Sequence, residues 1–139
     1  MPPAVVVDTN VVFSALLKDD SPFTQMLMGS RYEFFIAEFV FVELFKHKER
    51  IVRASRLTQD EILKQLEIVL QHLTIYKGVL VPGEQKRKAF HLCADVDPKD
   101  ATHVAVALAL DAPLWTGDQK LRRGLEAKGF TRFFDPDRA

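Results

Sequence analysis

The chain has 139 residues, of which 47% are hydrophobic and 27% charged, a composition typical of a soluble globular protein and sufficient for one domain over residues 1–139. It contains no apolar run of about 18 residues and no signal-peptide pattern, so we expect a cytoplasmic protein that is not embedded in a membrane. The formal net charge of zero disfavours a broad cationic surface that coats nucleic acid, and the single cysteine, Cys93, excludes an internal disulfide or a thiolate metal site from one chain.

The N-terminal segment predicts a buried strand followed at once by a helix. Residues 4–7 form a short apolar run with three consecutive valines, which favours a strand covered on both faces. Asp8 follows directly, and Thr9 and Asn10 can open a helix over residues 11–17. Asp8 therefore lies at the carboxyl end of a strand, the edge of an open parallel sheet where ligands bind, although it can also serve only as a helix cap.

The next elements introduce a carboxylate in hydrophobic surroundings. We predict a helix over residues 21–27, a strand over residues 32–36 and a helix over residues 38–53. Glu43 interrupts an otherwise apolar stretch of that last helix. Because burying an unpaired charge costs roughly several kcal/mol, Glu43 needs a compensating partner if its face turns inward.

The middle of the chain predicts a helix, a strand and another helix. Residues 58–61 have the capping-box pattern Thr-Gln-Asp-Glu, and apolar positions as far as Leu73 share one face of the helix that follows. Residues 79–81 predict the third strand, which a Pro-Gly pair ends. Residues 84–93 predict the next helix.

A third acid stands at the start of a helix. Asp97 is a good cap and Pro98 a good first residue, which places Asp100 in the first helical turn. Residues 101–110 are small and apolar on nearly every face, so this helix is predicted to be buried and central. Asp100 can also be only a favourable charge at the helix start, and Asp97 is an additional candidate for the same acidic site.

The fourth acid repeats the arrangement of the first. Residues 113–116 predict an apolar strand that breaks at Gly117, so that Asp118 begins the following helix or only caps it. A last strand is predicted around residues 130–134, and the tail over residues 135–139 is expected to fray.

Strands that alternate with helices predict an α/β fold with a central parallel sheet of four to five strands flanked by helices. Such a fold would bring four acids together, namely Asp8, Glu43, Asp100 and Asp118. Two carboxylates about 4 Å apart repel each other by roughly 4 kcal/mol at an effective dielectric constant near 20, so a shared divalent cation or a raised pKa is expected. Hard carboxylate oxygens favour Mg²⁺ or Mn²⁺.

Four short segments, taken in order, carry a family resemblance. They are Val-Val-Asp-Thr-Asn at 6–10, Val-Glu-Leu at 42–44, Asp-Ala-Thr-His-Val-Ala-Val-Ala at 100–107 and Thr-Gly-Asp at 116–118. With them the chain resembles, over nearly its whole length, the PIN-domain family of metal-dependent ribonucleases, which includes the VapC-like toxins of prokaryotic toxin–antitoxin pairs.

The resemblance implies hydrolysis of RNA phosphodiester bonds at a site that holds one or two Mg²⁺ or Mn²⁺ ions. The four acids would be the catalytic and metal-binding residues. Asn10 and Thr116 would assist them by hydrogen bonding. A cognate antitoxin and a homodimer are further partners that the family implies, and the sequence alone decides neither.

Basic residues beside the predicted site are candidates for RNA phosphate contacts. Lys46, Arg50 and Arg53 share a helical face just beyond Glu43, and Lys120 lies just beyond the last acid. The alternative for each is an ordinary solvated helix face.

Two other functions fit part of the sequence. A haloacid-dehalogenase-like phosphatase also places an aspartate after its first strand, but here Asn10 stands where its second aspartate would act, and no acid closely follows Asp118. A catalytically inactive PIN-like module that binds RNA or protein is the non-enzyme alternative. The presence of all four acids speaks against it.

Overall fold

The structure is a computed structural model that describes residues 2–29 and 31–138. In this part of the chain there are four strands and seven α-helices. The strands are β1 (Ala4–Val7), β2 (Glu33–Ala37), β3 (Leu73–Tyr76) and β4 (Leu114–Trp115). The helices are α1 (Thr9–Leu17), α2 (Pro22–Met28), α3 (Phe39–Ala54), α4 (Gln59–Gln71), α5 (Gly83–Cys93), α6 (Ala101–Leu110) and α7 (Gln119–Ala127).

The four strands form one parallel sheet in the order β3-β2-β1-β4. The pairing aligns Val5 with Phe34 on one side of β1 and Val7 with Trp115 on the other. The chain moves outward from β1 to β3 and then returns to place β4 on the opposite side, so the strand order reverses between β1 and β4. In parallel α/β sheets the crevice at the carboxyl ends of such strands is the usual ligand site.

Helices cover both faces of the sheet, which confirms the predicted α/β architecture. Val6 packs with α5, α6 and α7, whereas Val5 and Val7 pack with α1 and α2 on the other face. All three valines are at most 1% exposed, which explains why β1 is a continuous apolar run. Residues 103–107 of α6 are also buried, as predicted for a central helix.

Aspartate side chains cap α1, α7 and the 3-10 turn that precedes α6. Asp8 and Asp118 each accept a hydrogen bond from the backbone N–H three residues later, at 2.9 Å and 3.1 Å. Asp97 accepts one from the Lys99 N–H at 3.1 Å and precedes a 3-10 turn, Pro98–Asp100, that leads into α6. The predicted caps are confirmed, and because each bond uses only the Oδ1 atom, capping does not preclude a second role for these carboxylates.

The prediction of the third strand was wrong. Gly78–Leu80 forms a 3-10 turn in which Val79 is 84% exposed. The helix α4 ends at Gln71, and Leu73, which was assigned to its apolar face, instead begins β3 and pairs with Phe34. Residues 73–76 are mostly β-branched or aromatic, and β2 supplies the partners for their backbone hydrogen bonds along the whole strand.

The predicted strand over residues 130–134 is reduced to a single parallel bridge between Leu114 and Phe133. The Phe134 N–H donates to the Leu114 carbonyl at 2.9 Å. Because β4 has only two residues, its outer edge is too short for a longer partner. The sheet of the described residues therefore has four strands, the lower of the two predicted numbers.

The C-terminal tail and the helices bear on two further predictions. Part of the tail that was expected to fray forms a 3-10 turn, Pro136–Arg138, and Ala139 lies outside the described residues. None of the helices in the described residues combines the length and apolar character that crossing a membrane requires.

We expect Gly124→Ala to destabilise the fold. A Cβ atom at Gly124 in α7 would lie 2.7 Å from Cγ2 and 2.8 Å from Cγ1 of Val96. Replacing glycine by alanine inside a helix ordinarily stabilises by about 0.5–1 kcal/mol, but this overlap would cost about 1–3 kcal/mol, so the overlap dominates. Urea denaturation should show a lower free energy of unfolding for the variant, and Val96→Ala should be less harmful in that background than in the wild type. A variant as stable as the wild type would contradict this packing.

Candidate active site

A cavity of about 210 Å³ lies where the carboxyl ends of β1 and β4 meet, and we call it the acidic cavity. Its lining comes from the β1–α1 junction, from α3, from the start of α6 and from the β4–α7 junction. The lining residues are Asp8, Thr9, Asn10, Phe13, Glu43, His47, Arg50, Asp97, Lys99, Asp100 and Asp118. The structure thus brings together all four predicted acids and the additional candidate Asp97.

Three of the carboxylates form a tight group. Asp97, Asp100 and Asp118 each offer an oxygen atom that lies within 4.8 Å of the others, and all three side chains are half-buried. In the described part of the chain none of them forms an ion pair. Closely spaced carboxylate oxygens without a side-chain cation are the donors that hard divalent cations prefer, so these residues fit Mg²⁺ or Mn²⁺.

The protonation of Asp100 reflects this crowding. Burial raises the pKa of Asp100 to about 7, and the charges of the neighbouring aspartates add to the rise. Without a cation the carboxyl group therefore retains much of its proton near neutral pH.

Asp8 lies beside this group and is the most buried of the acids, with 2% exposure. Burial raises the pKa of Asp8, and the adjacent Thr116 hydroxyl and Val11 amide offset part of that effect. The Thr116 hydroxyl also accepts a hydrogen bond from the Asp118 N–H at 3.1 Å. Thr116 is thus close to both acids, whereas Asn10 is an exposed residue on the wall of the cavity.

Glu43 differs from the aspartates because it already has partners. Its Oε1 atom accepts a hydrogen bond from the Thr9 hydroxyl at 2.6 Å, and His103 Nε2 lies 3.1 Å from that hydroxyl and 3.8 Å from Oε1. His103 and then Thr9 lower the pKa of Glu43. Glu43 is therefore ionised at neutral pH. Thr9 and His103 are the compensating partners that a carboxylate in an otherwise apolar stretch needs.

The basic residues predicted to contact RNA lie at different places on the protein. Arg50 lines the acidic cavity. Arg53 instead lines an apolar groove of about 490 Å³ between α3 and α4. Lys46 and Lys120 are exposed and do not line the acidic cavity. The roles of all the predicted site residues remain predictions.

Several neighbours of the acids in the cavity have no role among the sequence-based predictions. Thr9 directly follows Asp8, and His103 lies one helical turn after Asp100, so spacing alone could have associated both with the acids. His47 is likewise one turn after Glu43. Lys99 gave no such signal, because its position depends on the 3-10 turn before α6.

Comparison with known proteins identifies the family. The model of the PIN domain family matches residues 6–133, and no curated protein sequence gives a significant match. Among solved structures, the chain is similar to one in VapBC2 from Rickettsia felis bound to a DNA fragment from its promoter, with 19% identity, a TM-score of 0.62, and coverage of 86% of this chain and 92% of that chain. It is also similar to PAE2754 from Pyrobaculum aerophilum, with 14% identity, a TM-score of 0.63, and coverage of 91% of this chain and 86% of that chain. At these identities the structural likeness concerns the fold alone, but the family match spans most of the sequence, and the chain belongs to the PIN domain family.

Proposed function

We propose that the protein is an endoribonuclease that hydrolyses RNA phosphodiester bonds with the help of Mg²⁺ or Mn²⁺. The observation that carries the proposal is the group of three carboxylates within 4.8 Å of one another, next to the buried Asp8 and the ionised Glu43. Membership of the PIN domain family supports nuclease chemistry. Family membership therefore favours a nuclease function over that of a haloacid-dehalogenase-like phosphatase.

Electrostatic repulsion supports the requirement for a cation. Two ionised carboxylates at 4.8 Å, the largest separation within the group, repel each other by about 3.5 kcal/mol at an effective dielectric constant near 20, so ionising all three aspartates together is unfavourable without a cation. Asp97, Asp100 and Asp118 would hold the ion, and Asp8 would add a buried negative charge beside them. The chemistry that a bound divalent ion supplies is activation of a water molecule and neutralisation of charge on the phosphate.

The remaining residues would orient the reactants. Glu43 is a carboxylate at neutral pH, so its oxygens accept a hydrogen bond from the attacking water and direct it toward the phosphorus. Arg50 and Lys99 would contact phosphate oxygens of the RNA beside the acids. No side chain has to act as a covalent nucleophile.

We also propose that the protein is the toxin of a toxin–antitoxin pair. The structural similarity to a chain of VapBC2 supports this assignment. A cognate antitoxin and a homodimer remain predictions. The antitoxin prediction is tested by whether the product of a neighbouring gene inhibits cleavage, and absence of inhibition would contradict it. The homodimer prediction is tested by light scattering of the purified protein, and a monomeric mass would contradict it.

Asp100→Asn should abolish cleavage, because it removes a charge that holds the ion. We expect kcat/KM to fall by about 100-fold or more in a fluorescent RNA assay with Mn²⁺. Calorimetry without RNA should show weaker Mn²⁺ binding. The matched control is Asp95→Asn, which neutralises an exposed acid that pairs with Lys128 and does not line the cavity. Cleavage by Asp100→Asn at the wild-type rate would exclude the proposed site.

The metal-free protein should become less stable as the pH rises from about 4 to about 7. The folded state binds the Asp100 proton more tightly than the unfolded state, because burial raises the pKa to about 7 from an ordinary value of 3.8. Relative to high pH, the Asp100 carboxyl group therefore contributes its full stabilisation below the pKa of the unfolded state, 3.8. That contribution is lost as the pH rises through the pKa of the folded state, about 7.

Thermal unfolding in a chelator at pH 5 and pH 8 measures this effect. Asp100→Asn should lose less stability than the wild type between the two values, and relief of about 1 kcal/mol of repulsion would raise its Tm at pH 8 by roughly 3–5 °C. Added Mn²⁺ should stabilise the wild type more than the variant. Identical pH dependence of the two proteins would contradict the raised pKa.

Arg50 and Arg53 should contribute differently to RNA binding, although they lie one helical turn apart. Arg50 lines the acidic cavity and Arg53 lines the apolar groove. We expect Arg50→Ala to raise KM by about 3–10-fold and to reduce the salt dependence of RNA binding, because a phosphate contact is lost. Arg53→Ala is the matched control and should resemble the wild type. Equal effects of the two substitutions would contradict this placement of the RNA.

A further inference from the structure

Three helices meet in a buried hydrogen-bonded network beside the acidic cavity. Thr9 is the first residue of α1, Glu43 lies in α3 and His103 lies in α6. Thr9 is 5% exposed and His103 is 1% exposed, so water has little access to either side chain. The network therefore gives the Glu43 carboxylate fixed partners inside the protein.

The positions of the hydrogen atoms follow from the chemistry of the three groups. A carboxylate can only accept, so the single hydroxyl hydrogen of Thr9 is donated to Glu43 Oε1 at 2.6 Å. The Thr9 oxygen must then accept at its 3.1 Å contact with His103, which requires a hydrogen on Nε2. Nδ1 is buried and has no hydrogen-bond partner among the described residues, so a second N–H there would be a buried donor without an acceptor. The neutral ring with its hydrogen on Nε2 fits the site.

We propose that Thr9 and His103 are positioning residues, which hold the Glu43 carboxylate in place for RNA cleavage. The inference rests on the nuclease function proposed above. A glutamate side chain has considerable rotamer freedom. The hydrogen bond from Thr9, itself oriented by His103, limits that freedom. Positioning matters because a displacement of about 1 Å in a reacting group can lower the rate by about 100-fold.

Substitutions at Thr9 test the first link. Thr9→Val keeps the size of the side chain but removes the hydroxyl, and we expect kcat to fall roughly 10-fold to 100-fold. KM and calorimetric Mn²⁺ affinity should stay within about twofold of the wild type, since the aspartates are intact. Thr9→Ser should restore most of kcat. The matched control is Thr74→Val, which removes a threonine hydroxyl that donates to Glu33 at 3.2 Å on the exposed sheet edge, and it should leave kcat unchanged.

Substitutions at His103 and Glu43 test whether the effect passes through Glu43. His103→Leu should lower kcat, and His103→Gln, which retains a donor, should recover much of it. In a Glu43→Ala background, Thr9→Val should cause no further loss, because residues that act through one group are not additive. Thermal unfolding of each variant checks that the fold is retained. Long-range ¹⁵N–¹H correlations of the wild-type protein report the His103 tautomer without any substitution.

The outcomes separate this inference from the function on which it rests. A wild-type protein that does not cut RNA, or whose cleavage is indifferent to Asp100→Asn, would remove the proposed function and the inference with it. Dependence on Asp100 together with a wild-type kcat for Thr9→Val would overturn the inference alone. A large loss of Mn²⁺ affinity in Thr9→Val, an additional loss in the Glu43→Ala background or a hydrogen on His103 Nδ1 instead of Nε2 would also overturn it.

Discussion

The mutual repulsion of carboxylates at the end of the sheet is the constraint on which the site depends. The fold places Asp8, Asp100 and Asp118 at the starts of helices, where each gains about 0.3–1 kcal/mol from the helix dipole. If Asp97, Asp100 and Asp118 were all ionised, each pair would repel by about 3.5 kcal/mol at an effective dielectric constant near 20, which exceeds that gain. The helix dipole therefore explains why acids are tolerated at these positions, but it does not account for so many of them in one cavity. The proposed cation site would account for their grouping.

The acids of the cavity divide into two kinds by their surroundings. Burial raises the pKa values of Asp8 and Asp100, while His103 and Thr9 lower the pKa of Glu43. Among the described residues neither aspartate forms an ion pair, whereas Glu43 already has hydrogen-bonding partners within the protein. This difference favours separate roles, with the aspartates holding the ion and Glu43 directing the water. It also explains how a carboxylate can stand in a hydrophobic stretch of α3.

Elements with strong local signals were predicted well from the sequence, and those decided by distant partners were not. The valines of β1 and the caps at Asp8 and Asp118 are local features, and the structure confirms them. Residues 73–76 and 79–81 are both plausible strands, and only pairing with β2, about 40 residues earlier in the sequence, selects the first. The partners of Glu43 were missed for the same reason, because Thr9 and His103 reach it from other helices. Periodicity likewise grouped Arg50 with Arg53 but could not show that they line different cavities.

The size of the acidic cavity limits which part of the proposed RNA substrate would fit into it. Its volume of about 210 Å³ is below the roughly 300 Å³ at which pockets begin to enclose a drug-sized ligand, so a phosphodiester group fits it better than a whole nucleotide with its base. The two larger grooves, of about 490 and 520 Å³, are lined mainly by apolar side chains and offer no cluster of carboxylates. Volume therefore does not single out the acidic cavity, whereas charge does. For the proposed RNA substrate, we expect the bases to lie outside the cavity and discrimination between sequences to arise on the surface around it.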